Sequence, residues 1–312
     1  MTTVISSLSL TPEERSMIGD AGAERLVDLQ AATGSDLQSA EVWFGPEFTR
    51  DVFNRMPGLK WVQATSAGVE SWLFPEVVAS DVTLTNVRGL HSDSVADLAM
   101  ALVLAHVRSL PVLFDQQKRH EWSVAPGREL SGMTMTIVGV GAIGSQIGDR
   151  ALVFGMDVIG VSRRNDAEVS DPRMRRVDIS ELRTALAVAD WVVLALPITP
   201  ETHHLIGRNE LLAMKPTAVL VNVGRGPVVD EAALIEALAT GTISGACLDV
   251  FEEEPLAADS RLWDMANVIL TPHVAGFRTA FQSRAVALFC ENLRRYRASE
   301  ALRDQIDKTR GY

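Results

Sequence analysis

Thr134-Met135-Thr136-Ile137-Val138-Gly139-Val140-Gly141-Ala142-Ile143-Gly144-Ser145 is the stretch whose reading decides the fold. Its first five residues are β-branched or apolar and read as a short buried strand. Three glycines follow at G-x-G-x-x-G spacing and open residues 143–154, which read as a helix. Gly139 permits the tight turn, Gly141 lets a backbone approach a pyrophosphate, and Gly144 allows close helix–strand packing. With Ala142 and Ile143 between them, they aim the N–H groups and positive dipole end of a helix at phosphates. Glycines at this spacing also occur in ordinary turns. It is the strand before and the helix after that make this a dinucleotide-binding loop.

Outward from this loop, the chain alternates short apolar runs with helical stretches, the pattern of a parallel α/β sheet. Downstream, strands are expected at 157–161, 191–195, 218–223, 245–250 and 268–270, with helices at 180–187, 209–213 and 231–239 between them. Upstream, strands are expected at 41–44, 60–64 and 82–85, and the polar region 11–28 reads as helix. A long apolar helix over 92–110 then ends at Pro111, with Ser92 or Asp93 capping its start. A last helix, 278–297, lies outside the sheet pattern and can return to the first domain. The expected architecture is two α/β domains, 1–92 with 277–312 and 93–276, with the cleft between them as the natural site.

The strand after the glycine loop should end at the adenosine ribose, where a carboxylate usually accepts the hydroxyls of NAD. Here it ends in Ser162-Arg163-Arg164, a hydroxyl and two guanidiniums suited to a 2′-phosphate. NADP(H) is therefore the preferred cofactor, with Asp166 leaving NAD(H) possible. Three polar residues follow later strands, where open α/β sheets place their sites. They are Arg225 in Asn222-Val223-Gly224-Arg225-Gly226, Glu254 before Pro255, and His273 in Thr271-Pro272-His273-Val274-Ala275-Gly276. Singly each has an ordinary reading, as a surface arginine, an acidic loop and a loop histidine; together they form a candidate site.

In these segments, with Leu196-Pro197 and Thr202, the chain closely resembles the D-isomer-specific 2-hydroxyacid dehydrogenases over nearly its whole length. The resemblance implies a flavodoxin-like substrate domain built from both chain ends and a Rossmann-type cofactor domain inserted between. It implies His273 as the acid that protonates C2 oxygen as hydride arrives, and Glu254 as the carboxylate that orients its imidazole. It implies Arg225 as the group that binds the substrate carboxylate and polarises the C2 carbonyl. The backbone amides of Ala67 and Gly68 match the family's second carboxylate anchor. Pro197, Thr202, Val223, Asp249 and Gly276 are expected along the cofactor, Asp249 near the nicotinamide carboxamide. Closure about hinges near 91–94 and 272–278 is expected, and a homodimer is implied by resemblance alone. The reaction implied is NAD(P)H-dependent reduction of a small 2-oxoacid to the D-2-hydroxyacid.

Bulk properties narrow the alternatives. The chain has 312 residues, enough for two domains, and a net charge of −11 with no basic footprint for nucleic acid. No uncharged apolar run approaches the ~20 residues that span a bilayer, so a cytoplasmic location is expected. Cys247 and Cys290 read as buried reduced thiols, without metal spacing. His203 and His204 form a pair with no third ligand at metal spacing and read as loop residues; no metal is expected. His91, His106 and His120 read as structural or exposed. Trp43, Phe44, Trp61 and Trp72 read mainly as core, with Trp43 or Phe44 a candidate pocket wall. The competing functions are another NADP-dependent Rossmann reductase and a cofactor-sensing interaction protein of the same fold.

Overall fold

The apolar runs of the first third form strands β3 (Val42–Phe44), β4 (Trp61–Gln63) and β5 (Thr83–Thr85). They are joined by β1 (Thr3–Ser6) and β2 (Arg25–Asp28) in a parallel sheet of order β2-β1-β3-β4-β5, the flavodoxin-like winding. The computed structural model describes residues 2–163, 171–276 and 281–311. The chain divides into two units, Met1–Leu90 with Arg278–Tyr312 and His91–Phe277.

In the first unit, the region expected as one helix over 11–28 is helical only over Pro12–Asp20, where Thr11 and Glu14 form a capping box. Strand β2 follows, half-exposed at the sheet edge, with Arg25 paired to Asp36 and Asp28 to Arg15. Charged residues are common on such edges because they discourage further strand pairing, and they also mask the apolar pattern of a strand. Trp43 and Phe44 are both fully buried and face opposite sides of the sheet, so neither lines a pocket. Phe44 stacks on Phe289 of the helix Phe281–Arg297, ring centroids 4.1 Å apart, and Trp61 stacks on the same ring. Removing a ring so buried costs about 3–5 kcal/mol, so this contact is a main tie between the C-terminal helix and the sheet. A buried polar chain reinforces it: the Trp61 indole donates to Thr85, Thr85 to Gln63, and Asn292 of the helix to Gln63 at 3.0 Å.

The second unit holds β6 (Thr134–Val138), β7 (Asp157–Ser162), β8 (Arg175–Asp178), β9 (Trp191–Leu194), β10 (Val219–Asn222), β11 (Gly245–Leu248) and β12 (Val268–Leu270). They form a parallel sheet of order β12-β11-β10-β9-β6-β7-β8, a Rossmann winding that reverses direction between β6 and β9. The edge strand β8 was not anticipated, for the same reason as β2: its sequence, Arg-Arg-Val-Asp, is mostly charged.

Helices Ser92–Val107 and Ala142–Val153 cover one face of this sheet; Leu182–Val188, Arg208–Ala213 and Glu231–Thr240 cover the other. Two expectations about the first of these fail. Pro111 does not end it; Ser109, in a left-handed conformation, breaks the chain, and Pro111 sits in the first turn of a second helix, Leu110–Arg119. A proline fits there because the first helical N–H groups have no intrahelical acceptor. Ser92 does not cap it either: His91 occupies the capping position, and the Ser92 hydroxyl is buried without a partner. Cys247 and Cys290 are buried free thiols, and burial pushes Cys247 up to about 12. Among the described residues no single helix is long and apolar enough to cross a membrane.

Candidate active site

Because every strand of the second sheet is parallel, its carboxyl ends share one edge, and the loops there carry the predicted residues. The glycine loop leaves β6 with Gly139 at φ +102, a conformation other residues rarely adopt. A Cβ at Gly139 would press on the Ala195 carbonyl, and one at Gly144 on the Gly139 carbonyl, so both glycines are required by close approach. At Gly141 a Cβ would meet nothing within 4 Å, and the residue is exposed. Gly141 is also the N-cap of Ala142–Val153 and provides no side-chain cap. Open space in front of uncapped helix N–H groups fits a pyrophosphate. Ala142 is exposed beside it, and Ile143 and Gly144 turn inward.

Ser162 ends β7, and Arg163 follows it, about half exposed. The Arg163 guanidinium lies 4.0 Å from Glu201, a solvent-exposed pairing of small energy. The Glu201 carboxyl is held below the usual range, chiefly by the Thr199 hydroxyl and in smaller part by Arg163. Arg164 and Asp166 lie outside the described residues. In the loop after β9, the Thr202 hydroxyl donates to the Pro197 carbonyl at 2.8 Å and accepts the Thr199 N–H at 2.8 Å. Thr202 is buried, so it shapes the loop in which Pro197 stands.

The ends of β10, β11 and β12 carry the catalytic candidates. Asn222, buried at the end of β10, accepts the Gly224 N–H at 3.1 Å and donates to the Arg225 carbonyl at 3.0 Å. It thereby sets the turn that presents Arg225, whose guanidinium donates to the Gly224 carbonyl at 2.8 Å. Gly226 lies so close to the Phe251 carbonyl that a Cβ would overlap it, seating this turn against the loop after β11. In that loop Glu254 accepts the Phe251 N–H on Oε1 at 3.0 Å, and its Oε2 lies 2.6 Å from His273 Nδ1. One carboxylate oxygen is thus fixed by the backbone and the other faces the imidazole. His273 is half exposed, with Nδ1 engaged.

His273 itself is at φ +51, unusual for a side chain with a Cβ, and the surrounding loop holds it there. Its N–H donates to the Asp249 carbonyl at 2.8 Å. The Asp249 carboxylate, fully buried, accepts the Thr271 hydroxyl at 2.6 Å, the Val274 N–H at 3.0 Å and the Ala275 N–H at 2.9 Å. Asp249, expected beside the cofactor, therefore organises the loop that carries the histidine. Val223 is buried, and the Gly276 carbonyl lies 3.1 Å from His91 Nδ1, so His91 is structural.

In the first unit, the Ser66 hydroxyl donates to the Gly68 carbonyl at 2.6 Å and Asn86 to the Ala67 carbonyl at 2.6 Å. Among the described residues no acceptor lies on the N–H of Ala67 or Gly68. The carbonyls are tied down and the amides remain for an anion.

Residues 100–275 match the family profile described as the NAD-binding domain of D-isomer specific 2-hydroxyacid dehydrogenases. The chain belongs to that family. This dehydrogenase is 40% identical over 245 residues to a glyoxylate/hydroxypyruvate reductase B from Enterobacter sp., covering 76% of this chain and 75% of the relative. Among solved structures it is similar to a D-isomer specific 2-hydroxyacid dehydrogenase from Xanthobacter autotrophicus in complex with NADPH and MES. That match has a TM-score of 0.87 and 30% identity, covering 100% of this chain and 99% of the other. An NADPH-dependent glyoxylate/hydroxypyruvate reductase from Sinorhizobium meliloti, in complex with NADP and sulfate, matches with TM-score 0.87 and 30% identity, each chain covered in full.

The dehydrogenase also contains site residues whose part in the site is not visible in the sequence. Asn222 and Asn86 had no assigned role; an Asn at a strand end two residues before a turn N–H is the signal that could have found Asn222. His203 and His204 were read as a loop pair with no third ligand at metal spacing in the sequence, and the fold brings Glu252 to 2.7 Å from His204. His106 is half-buried against Trp191, its pKa lowered by desolvation, and His120 ends the helix Leu110–Arg119.

Proposed function

We propose that this enzyme reduces a small 2-oxoacid of the glyoxylate or hydroxypyruvate class to the D-2-hydroxyacid, with NADPH preferred over NADH. The observation that carries the proposal is the 2.6 Å His273–Glu254 contact at the carboxyl edge of a dinucleotide-binding sheet. When bound, the reduced nicotinamide supplies a hydride for the substrate C2. Arg225 binds the substrate carboxylate and draws electron density from the C2 carbonyl, stabilising negative charge as it develops. His273 gives a proton from Nε2 to the C2 oxygen, since Nδ1 faces Glu254. Glu254, itself fixed by the Phe251 N–H, sets the ring orientation and the tautomer. The amides of Ala67 and Gly68 supply further donors to the carboxylate.

The preference for NADPH rests on Arg163 where a ribose-binding carboxylate would otherwise stand, and on the NADPH and NADP carried by the similar structures. A homodimer is supported by apolar side chains left in water: Trp122 is fully exposed and Val124 90% exposed, and Phe114 stands on the preceding helix. The cytoplasm, where reduced dinucleotide is available, is the compartment this reading implies. The test is steady-state kinetics with both cofactors across glyoxylate, hydroxypyruvate, pyruvate and bulkier 2-oxoacids. Turnover of the small acids with NADPH is expected; no turnover of any 2-oxoacid with either cofactor would sink the proposal.

A further inference from the structure

The loop after β9 and the loop after β11 meet at a second cluster, His203, His204 and Glu252. Neighbouring side chains on an extended chain point to opposite faces, but His204 is at φ +51 and the chain reverses there. The two imidazoles consequently lie side by side, ring centroids 4.0 Å apart and tilted by 32°. The turn is fixed by two backbone bonds, His203 N–H to the Thr199 carbonyl at 3.0 Å and His204 N–H to the Pro227 carbonyl at 2.8 Å. On the facing loop, Glu252 is held by the N-terminus of the helix Glu231–Thr240: its N–H donates to Glu231 at 3.1 Å, and its Oε2 accepts the Glu231 N–H at 3.4 Å. Glu252 Oε1 is left facing His204 Nε2 at 2.7 Å.

We propose that His203, His204 and Glu252 bind a divalent transition metal of the zinc or nickel class, with water completing the coordination. One ligand atom from each of the three residues lies within 4.8 Å of the other two. A four-coordinate ion with ligands at ~2.0–2.1 Å needs ligand atoms about 3.3 Å apart, so the cluster closes on the ion by small side-chain rotations. Two imidazoles and one carboxylate match zinc or nickel and exclude the oxygen-rich coordination of calcium or magnesium. All three side chains are exposed, so the ion has a direct path in. The bound ion would clamp the loop after β9 to Glu252, two residues from Glu254. This proposal is independent of the reductase reading.

The test is calorimetric titration of the tag-free full chain with zinc sulfate, and separately with nickel chloride, together with melting in the presence of each ion. Wild type is expected to take up one ion per chain and to melt at a higher temperature with it. His204→Ala and Glu252→Gln should each weaken binding at least tenfold and abolish the melting shift, while His273→Ala should bind as wild type does. Absence of binding by wild type overturns the proposal. So does unchanged affinity in both cluster variants, or loss of binding in His273→Ala alone, which would place the ion at the His273–Glu254 pair.

Discussion

Replacing Asp249 by Asn tests whether that carboxylate acts on the histidine loop or on the cofactor. In the native loop one carboxylate oxygen takes Thr271 and Val274 and the other takes Ala275. An amide has one acceptor oxygen, so either Val274 or Ala275 must present its N–H to an –NH2 group in a site with no solvent exposure. Thr271 can rotate its hydroxyl away; a backbone N–H cannot turn. One buried unpaired N–H costs about 1–3 kcal/mol, and the remaining bonds lose their charge assistance, so a total near 2–5 kcal/mol is expected. At roughly 2–4 °C per kcal/mol for a unit of this size, melting should fall by about 4–20 °C. The loop also sets His273, and a misplacement of ~1 Å can cost ~100-fold in rate, so turnover should fall sharply while the NADPH dissociation constant changes little. Differential scanning fluorimetry and a fluorescence titration with NADPH measure the two effects. Thr271→Val, which removes one of the three donors, should move melting the same way by less. An unchanged melting temperature with a large loss of NADPH affinity would refute the reasoning and return Asp249 to the cofactor.

His273→Ala should lower turnover by ~10²–10⁴-fold while NADPH still binds; near-normal steady-state turnover would remove it from proton transfer. Arg163→Ala combined with Arg164→Ala should raise KM for NADPH by ~10-fold or more relative to NADH, the effect of losing about 1.4 kcal/mol of phosphate binding. Equal changes for both cofactors would contradict the 2′-phosphate assignment. Arg225→Lys, which keeps the charge and loses the planar fork, should both raise KM for the 2-oxoacid and lower kcat, measured by initial rates; a change in KM alone would limit Arg225 to ground-state binding.

The fold was legible where apolar residues run together in the sequence and illegible where polar or charged residues break the run. Strands β6 and β12 were read to the residue because nothing polar interrupts them except Thr134 and Thr136. Strands β1, β2 and β8 were missed. Strand β1 is buried but only four residues long, with Thr3 and Ser6 flanking Val4 and Ile5. Strands β2 and β8 are edge strands that keep charge on their solvent side, where Arg25, Asp28, Arg175, Arg176 and Asp178 broke the pattern. Trp43 and Phe44, read mainly as core, are core on opposite faces of the sheet; only the pocket-wall alternative fails, because a position near a strand end does not reveal that both faces are covered. The site divides differently. His273, Glu254 and Arg225 were visible because reactive groups stand out against apolar strands; Asn222, Asn86 and the bracing role of Asp249 were not, because their partners are backbone groups brought near only by the fold.

That division follows from what each group must do. The proposed proton donor His273 has to reach substrate, and it and its partner Glu254 remain partly in water, where an isolated side chain would sample several rotamers. Their geometry has to come from behind, from groups that solvent does not reach: Asp249 under the histidine loop, Asn222 under the arginine turn, and the Phe251 N–H on Glu254. The close approach of Gly226 to Phe251 then joins the arginine turn to the glutamate loop, and the backbone bond from His273 to Asp249 joins the histidine to the end of β11. The three candidate residues come from three strands, yet each is held through the strand or loop next to it. A side chain larger than hydrogen at Gly226 would push on the loop holding Glu254, and so reach His273 without touching it. The reactive geometry is therefore a property of the joined strand ends, with buried polar groups and one glycine contact setting distances that the exposed side chains alone could not keep.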